Sequence, residues 1–224
     1  ISMCGRYGGP KDLQVYAGHL PVQRPFAATG LEQEYSKFQN APVFARNSKG
    51  EIVVQSMRFG LIPYWHTGPI KSWESSTWNA QMETVATKPS FKRAWSRGRR
   101  CLVPASYVVE TLRVVDVPGG KLNADFLFRD GRAMGLAGLW DYALTADGPV
   151  LSFALLTRHP GERMRELHPR EVCVLPEQVW GAFLNGESMD WSNPWADDAW
   201  GVRLPERSKE KVLGMEGDLF SSAS

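Results

Sequence analysis

A series of short apolar runs, rich in Val, Ile, Leu and aromatic residues and separated by turn residues, decides the fold class. The runs cover residues 52–54, 101–103, 107–109, 126–128, 134–139, 151–156 and 171–175, and this pattern is typical of strands. Segments with helical features are fewer and lie at residues 10–17, 89–97, 161–167 and 177–184. The sequence therefore predicts the α+β class, with a single β-rich domain whose curved or barrel-like antiparallel sheet is flanked by short helices.

The length of 224 residues fits one domain, since domains usually contain roughly 100–200 residues. We assign residues 3–205 to this domain and expect residues 206–224 to form a partly disordered tail. After Asn185 we expect irregular coil that packs on the domain through its Trp residues. Ile1-Ser2 ahead of Met3 resembles a remnant of recombinant expression, which would make Met3 the native start. No uncharged apolar run is long enough to predict a membrane-spanning helix.

The cysteines and the missing motifs exclude several classes of protein. Cys4, Cys101 and Cys173 are odd in number, far apart and without a CxxC pair, which indicates the reducing cytoplasm. Cys101 and Cys173 lie in apolar runs and are expected in the core. The glycine-rich segments match neither GxxxxGK[ST] nor a strand-borne GxGxxG, and HExxH is absent. We therefore expect no cofactor and no metal ion.

Positive charge is concentrated in one segment, although the net charge is only +2. Residues 88–100 contain six basic side chains and no acidic one, interleaved with Phe91 and Trp95. Such a segment suits a groove for nucleic acid, because cations neutralise phosphates while rings stack on bases. A solvated helix face would have the same pattern.

Cys4 directly follows Met3, and a small second residue normally allows removal of the initiator methionine. An N-terminal cysteine is a 1,2-aminothiol whose α-amine is partly neutral at pH 7, because the reference pKa of such an amine is near 8. Its amine can form an imine with an aldehyde, and its thiolate can close on the imine carbon to give a thiazolidine. A small buried hydrophobe near a chain end is the alternative reading of Cys4.

Six short motifs are spread over most of the chain. They are MCGRY at 3–7, NAP at 40–42, RFGLIPYW at 58–65, NAQMET at 79–84, RRCLVPA at 99–105 and GLW at 138–140. From about Met3 to Leu184, their order and spacing resemble those of the SRAP family of abasic-site processing proteins. The resemblance implies a β-rich fold with a basic groove for single-stranded DNA containing abasic sites, acting as a monomer. Assuming a bacterial or phage-like source, we expect a cytoplasmic protein associated with the nucleoid.

The resemblance assigns roles to residues at the matching positions. Cys4 is the implied crosslinking nucleophile, and Asn79 holds the abasic nucleotide and the cysteine terminus. Glu110 and His168 are the implied proton-transfer pair for opening the sugar, forming the imine and reversing the adduct. The residues implied to bind DNA are Arg6, Asn40, Arg58, Phe59, Trp65, Lys92, Arg93 and Arg99.

This chain departs from the family pattern around both members of the proton-transfer pair. The segment ASYVVET at 105–111 keeps Glu110 but lacks the usual Asp-Gly turn and flanking aromatics, and HPREV at 168–172 replaces the usual HDRMP. Phe59 replaces a usual Trp and keeps an apolar stacking face. The departures leave open a non-catalytic module that binds single-stranded DNA, and a cysteine hydrolase that acts on another substrate.

Overall fold

A computed structural model describes residues 5–23, 31–113, 121–161, 164–165, 168–192, 195 and 197–204. Cys4, Ile1-Ser2 and the predicted tail at 206–224 lie outside the described residues, as does part of the predicted helix at 161–167. The strands are β1 (Arg6–Gly8), β2 (Glu34–Ser36), β3 (Asn40–Arg46), β4 (Ile52–Phe59), β5 (Asn79–Gln81), β6 (Arg100–Ala105), β7 (Tyr107–Arg113), β8 (Lys121–Phe128), β9 (Met134–Thr145), β10 (Gly148–Arg158), β11 (Glu171–Val172), β12 (Val174–Leu175) and β13 (Trp200–Arg203).

The helices whose bounds lie within the described residues are short: α1 (Gln14–Ala17), α2 (Lys92–Ser96) and α3 (Trp180–Leu184). Single turns of 3₁₀-helix occur at Ile70–Ser72, Glu177–Val179 and Asp197–Ala199. Within the described part of the chain, no helix has the length and apolar character needed to cross a membrane.

Five strands close into a barrel in the order β10, β4, β3, β6 and β9, because β9 pairs with β10 along eight residues of each strand. All pairings within the barrel are antiparallel except that of β4 with β10. A second sheet has the order β13, β8, β7, β1, β2. The predicted α+β class with a barrel-like sheet and short helices is confirmed.

Each barrel strand contributes to two apolar clusters, because successive side chains point to opposite faces. On β3, Val43 belongs to a cluster that also contains Tyr7 and Val108 of the second sheet. The next residue, Phe44, belongs to a cluster that contains Trp180 of α3. The barrel therefore lies between the second sheet and the helices, and both of its faces are buried.

The predicted strand at 171–175 is divided into two. β11 pairs with β10 and β12 pairs with β9. Between them, the Cys173 N–H donates to Leu156 O, and the Cys173 carbonyl accepts from Ala137 N. Cys173 thus links the two strands at the seam of the barrel. Cys101 and Cys173 are both buried, as predicted for core residues, and burial raises the pKa of the Cys173 thiol to about 12.

The segment after Asn185 packs through its Trp residues, as expected. The Trp191 ring contacts Trp95 and Phe183, and the Trp195 ring lies 4.6 Å from that of Phe128. The expectation of irregular coil is wrong for Trp200–Arg203, which forms β13 and pairs with β8. An edge strand of four residues containing a glycine gives too weak an alternation to be recognised from the sequence.

Candidate functional site

A pocket of about 270 Å³ opens where β2, β1 and β7 lie side by side. We call it the Glu110 pocket. In the strand register, Arg6 of β1 lies opposite Ser36 of β2 on one side and opposite Val109 of β7 on the other. The described residues that line the pocket are Gly5, Arg6, Ser36, Lys37, Val109, Glu110 and Thr111. Its lining therefore combines two cations, one carboxylate and the backbone just after Cys4.

The Glu110 carboxylate is buried because its position in β7 faces the core. Val108 and Leu112, two residues before and after it, both belong to the cluster between barrel and sheet. Pairing of β7 with β1 on one side and β8 on the other fixes this orientation, although the usual Asp-Gly turn is absent. Glu110 is only 4% exposed. Burying a carboxylate costs free energy unless it is paired with a cation or with hydrogen-bond donors. The groups that face Glu110 therefore decide what this carboxylate can do.

His168 is the buried group that faces this carboxylate. It is 2% exposed, and its Nε2 lies 3.7 Å from Glu110 Oε2. The His168 Nδ1 atom lies 2.8 Å from the Arg170 carbonyl oxygen and 3.3 Å from the Arg170 backbone nitrogen. The Arg170 backbone therefore orients the imidazole, and Nε2 is the ring nitrogen that faces Glu110.

Arg170 holds the segment that carries His168. Its guanidinium donates two hydrogen bonds to the Glu83 carboxylate, at 3.0 and 2.8 Å, and one to the Thr157 carbonyl at 2.8 Å. Partial burial raises the pKa of Glu83, but the hydrogen bonds and charge of Arg170, a backbone hydrogen bond at Glu83 and the charge of His159 together hold that pKa below its usual value. The altered HPREV segment therefore retains firm support for His168.

Asn79 is buried at the start of β5, opposite Leu155 of β10. Paired residues on neighbouring strands project to the same face, and Leu155 belongs to the cluster that surrounds the Glu110 position. Asn79 and Glu110 thus lie on strand faces that contribute to the same apolar cluster. Cys4 lies outside the described residues and directly precedes Gly5, which lines the Glu110 pocket. Among the described residues, no group of His, Cys, Asp and Glu could hold a metal ion.

Apart from Phe59, the residues implied to bind DNA fall into two surface regions. Near the Glu110 pocket, Arg6 forms an ion pair with Glu34 at 3.2 Å. Asn40 is exposed and pairs with Arg58 across β3 and β4. Burial lowers the pKa of Arg58, whose side chain donates to the Gly60 carbonyl at 2.5 Å. This region presents polar and cationic groups beside the pocket.

The second region surrounds the N-terminal part of α2. Arg93 and Arg99 both form ion pairs with Asp141, whose side chain is 1% exposed. The Arg93 guanidinium also lies 3.9 Å from the centre of the Tyr64 ring. The neighbouring Trp65 is half exposed, and Lys92 is exposed. A single buried carboxylate distant in sequence thus offsets part of the positive charge that the sequence indicated for this region.

The predicted stacking role of Phe59 is wrong. The side chain is 0% exposed, and its ring stacks on Phe153 at 5.0 Å and meets the edge of Tyr7 at 5.8 Å. Because side chains alternate along β4, Arg58 points outward and Phe59 points into the core. Sequence reasoning missed Phe38, which is 51% exposed. A single aromatic residue in a turn gives no periodic signal that would have identified it.

Replacing Phe59 with alanine should therefore lower stability. Truncation of a buried aromatic ring typically costs about 3–5 kcal/mol, and here it removes contacts with Tyr7 and Phe153. Urea denaturation should show a much lower midpoint for Phe59→Ala, and a smaller change for Phe38→Ala. Parent-like stability with weakened DNA binding would contradict this assignment.

Comparison with known proteins gives a family match over most of the chain. The profile of the SOS response associated peptidase (SRAP) family matches residues 3–200. The abasic site processing protein YMR114C of Saccharomyces cerevisiae is 30% identical over 142 residues, which are 62% of this chain and 37% of the yeast protein. The abasic site processing protein YoqW of Bacillus subtilis is 28% identical over 135 residues, 60% of this chain and 58% of that protein. The matched region is less than two thirds of either relative.

The fold also has solved counterparts. A crystal structure of a protein from Bordetella bronchiseptica superposes with a TM-score of 0.76 at 23% sequence identity. The superposition covers 91% of this chain and 100% of that one. At this identity the likeness establishes the fold.

Proposed function

The chain belongs to the SOS response associated peptidase family, and from this membership we propose that it processes abasic sites in DNA. We propose further that it binds single-stranded DNA and captures the abasic sugar covalently through Cys4. The observation that carries the proposal is the buried Glu110–His168 pair at the Glu110 pocket. The pocket lining includes Gly5, which directly follows Cys4 in the sequence.

The proposed reaction joins an aldehyde to an aminothiol. The abasic sugar is mostly a closed hemiacetal, and opening it moves one proton off the C1′ hydroxyl and another onto the ring oxygen. The Cys4 amine then adds to C1′, and the resulting carbinolamine loses water to form an imine. The Cys4 thiolate adds to the imine carbon and closes a five-membered thiazolidine. One water is released overall, and nothing is oxidised or reduced.

Glu110 and His168 divide the proton transfers in this proposal. The Glu110 carboxylate accepts the proton from the C1′ hydroxyl, and His168 Nε2 delivers one to the departing oxygen. The Arg170 carbonyl holds the imidazole in place for this exchange. Burial of both groups excludes bulk water, which strengthens their electrostatic effect on the reacting atoms. Asn79 is proposed to hold the abasic nucleotide and the Cys4 terminus through its amide.

Capture requires a free Cys4 amine, so the residues before it must be removed. One route is ordinary removal of Met3 from a chain that starts there. The other is peptidase action of the protein on its own Met3–Cys4 bond, with Cys4, Glu110 and His168 as the participating groups. This second route adds one water across the amide and leaves a carboxylate on Met3 and an amine on Cys4.

The strand should contact the cations beside the pocket, and removing two of them should reduce the salt dependence of binding. For single strands the slope of log K against log salt falls by about 0.7 for each phosphate that the protein no longer neutralises. We expect the Arg6→Gln/Arg58→Gln double variant to bind intact and abasic strands more weakly, with a slope smaller by about 1.4. Fluorescence anisotropy titrations at several salt concentrations measure both effects.

A matched control is the Lys11→Gln/Lys49→Gln double variant. Lys11 follows the end of β1 opposite to Arg6, and Lys49 lies in the turn at the end of β3 and β4 opposite to Arg58. This variant should keep the parent slope. Equal slopes for both double variants would count against the assigned binding surface.

The function as a whole is tested by incubating Cys4-terminal protein with an abasic single-stranded oligonucleotide. The proposal expects a band of protein joined to DNA that survives denaturant and heat. Binding that is sensitive to salt and leaves no such band would instead support the non-catalytic DNA-binding alternative.

A further inference from the structure

The turn between β2 and β3 holds an aromatic side chain in an unusual backbone conformation. Phe38 has φ of 76° and is the only non-glycine residue with positive φ in the described part of the chain. Bulky residues rarely adopt this region because it is sterically costly. Its ring is nevertheless 51% exposed. The strained backbone thus presents an apolar ring to solvent.

Several contacts hold this ring in place. The Phe38 N–H donates to the Phe59 carbonyl at 2.6 Å, which ties the turn to the end of β4. The ring meets Trp78 edge-to-face, with their centres 6.0 Å apart. The Arg58 guanidinium lies 4.8 Å from the centre of the Phe38 ring. We call the pair formed by Phe38 and Trp78 the aromatic step.

Two cations flank the aromatic step. Lys37 Nζ lies 4.3 Å from the centre of the Trp78 ring, and Arg58 lies over Phe38. Neither Lys37 nor Arg58 forms an ion pair with an acidic residue among those the structure describes. An exposed ring between two uncompensated cations suits a base attached to phosphates, because rings stack on bases while cations neutralise the backbone.

The aromatic step adjoins the Glu110 pocket on one side and Asn79 on the other. Ser36 and Lys37, which immediately precede Phe38, line the pocket. Trp78 immediately precedes the buried Asn79. A nucleotide whose sugar enters the pocket therefore has its neighbour along the strand within reach of the aromatic step.

We propose that the aromatic step binds the nucleobase next to the abasic nucleotide by stacking it on Phe38, with Lys37 and Arg58 contacting the adjacent phosphates. This inference rests on the proposed function, because it takes single-stranded DNA as the ligand. Every base has a face that can stack on a ring, so the aromatic step requires a base at this position and accepts any of the four bases.

The test is a double-mutant cycle, which measures binding after loss of the Phe38 ring, after loss of the neighbouring base and after loss of both. The first set of single-stranded oligonucleotides carries a tetrahydrofuran abasic analogue, which has no aldehyde. In the second set, the neighbouring base on one side or the other is also replaced by a tetrahydrofuran. For the parent, loss of the stacked base should weaken binding by about 5- to 150-fold, the range for one base stacked on an aromatic side chain. Phe38→Leu should weaken binding of the first oligonucleotide by a similar factor. It should show no further weakening when the neighbouring base is missing.

Two variants serve as controls. Phe38→Trp keeps a stacking face and should restore the dependence on the neighbouring base. Leu144→Ala removes an apolar side chain that is 62% exposed near the β9–β10 turn, and it should bind both oligonucleotides like the parent. If Phe38→Leu still loses affinity on removal of the neighbouring base as strongly as the parent does, the inference is overturned.

Crosslinking to a natural abasic site separates this inference from the proposed function. Absence of the adduct in the parent protein would contradict the proposed function, whereas the tetrahydrofuran cycle would still test stacking of a base on Phe38.

Discussion

Protein that begins at Cys4 is expected to form a heat-stable adduct with an abasic oligonucleotide, whereas protein that retains Ile1-Ser2-Met3 is expected to form none. In the extended form the Cys4 nitrogen belongs to an amide, whose lone pair is delocalised into the peptide bond and cannot add to an aldehyde. The thiol alone gives only a labile hemithioacetal. A denaturing gel, with mass spectrometry of the protein N-termini, measures the difference.

Two variants of the same residue refine this prediction. Cys4→Ala keeps a free N-terminal amine but has no thiol, so its adduct should be lost on heating. Cys4→Ser should behave similarly, because a hydroxyl is a much weaker nucleophile than a thiolate at neutral pH. A heat-stable adduct on protein that still carries Met3 would contradict the aminothiol chemistry and would indicate a lysine or another nucleophile.

Replacing Glu110 with glutamine is expected to slow adduct formation by about 10²–10⁴-fold, the usual contribution of a general acid or base. The amide has the shape of the carboxylate but cannot accept the proton from the C1′ hydroxyl. Strand affinity should remain near that of the parent, because only the proton acceptor is lost. His168→Ala should act mainly on proton delivery and should also slow reversal of the adduct. Single-turnover crosslinking at saturating DNA measures these rates.

Asp125→Asn is a matched control for this substitution. Asp125 is a buried acid on β8, the strand that pairs with β7, and it accepts two hydrogen bonds from Arg203. Its removal should leave the crosslinking rate near that of the parent. Parent-like rates of formation and release in both Glu110→Gln and His168→Ala would show that the proposed proton transfers are wrong.

Local patterns predicted much of the sheet because the barrel strands are buried on both faces and therefore contain continuous apolar runs. The runs at 101–103 and 151–156 lie within β6 and β10, and β9 contains the run at 134–139. The strands of three residues, β1, β2 and β5, were not predicted, since three residues are too few to show an alternation. The barrel also depends on pairing between distant segments, such as β4 with β10 and β3 with β6, which local patterns do not report.

The candidate site could likewise be predicted only in part from the sequence. The resemblance named Glu110 and His168, and the structure places their side chains 3.7 Å apart. The sequence could not show that Asp141 pairs with Arg93 and Arg99, because the partners come from different elements. It also assigned a stacking ring to Phe59, which the structure buries. The register of β4 decides which of its side chains are buried, and that register follows from pairing with β3.

The most direct test of the central claim is the intact mass of the protein before and after exposure to an abasic single-stranded oligonucleotide. We predict a denaturant-stable species whose mass is that of protein beginning at Cys4 plus the oligonucleotide, minus one water. An unchanged protein mass for the Cys4-terminal form, or the same gain on protein that keeps Met3, would contradict covalent capture by the Cys4 aminothiol.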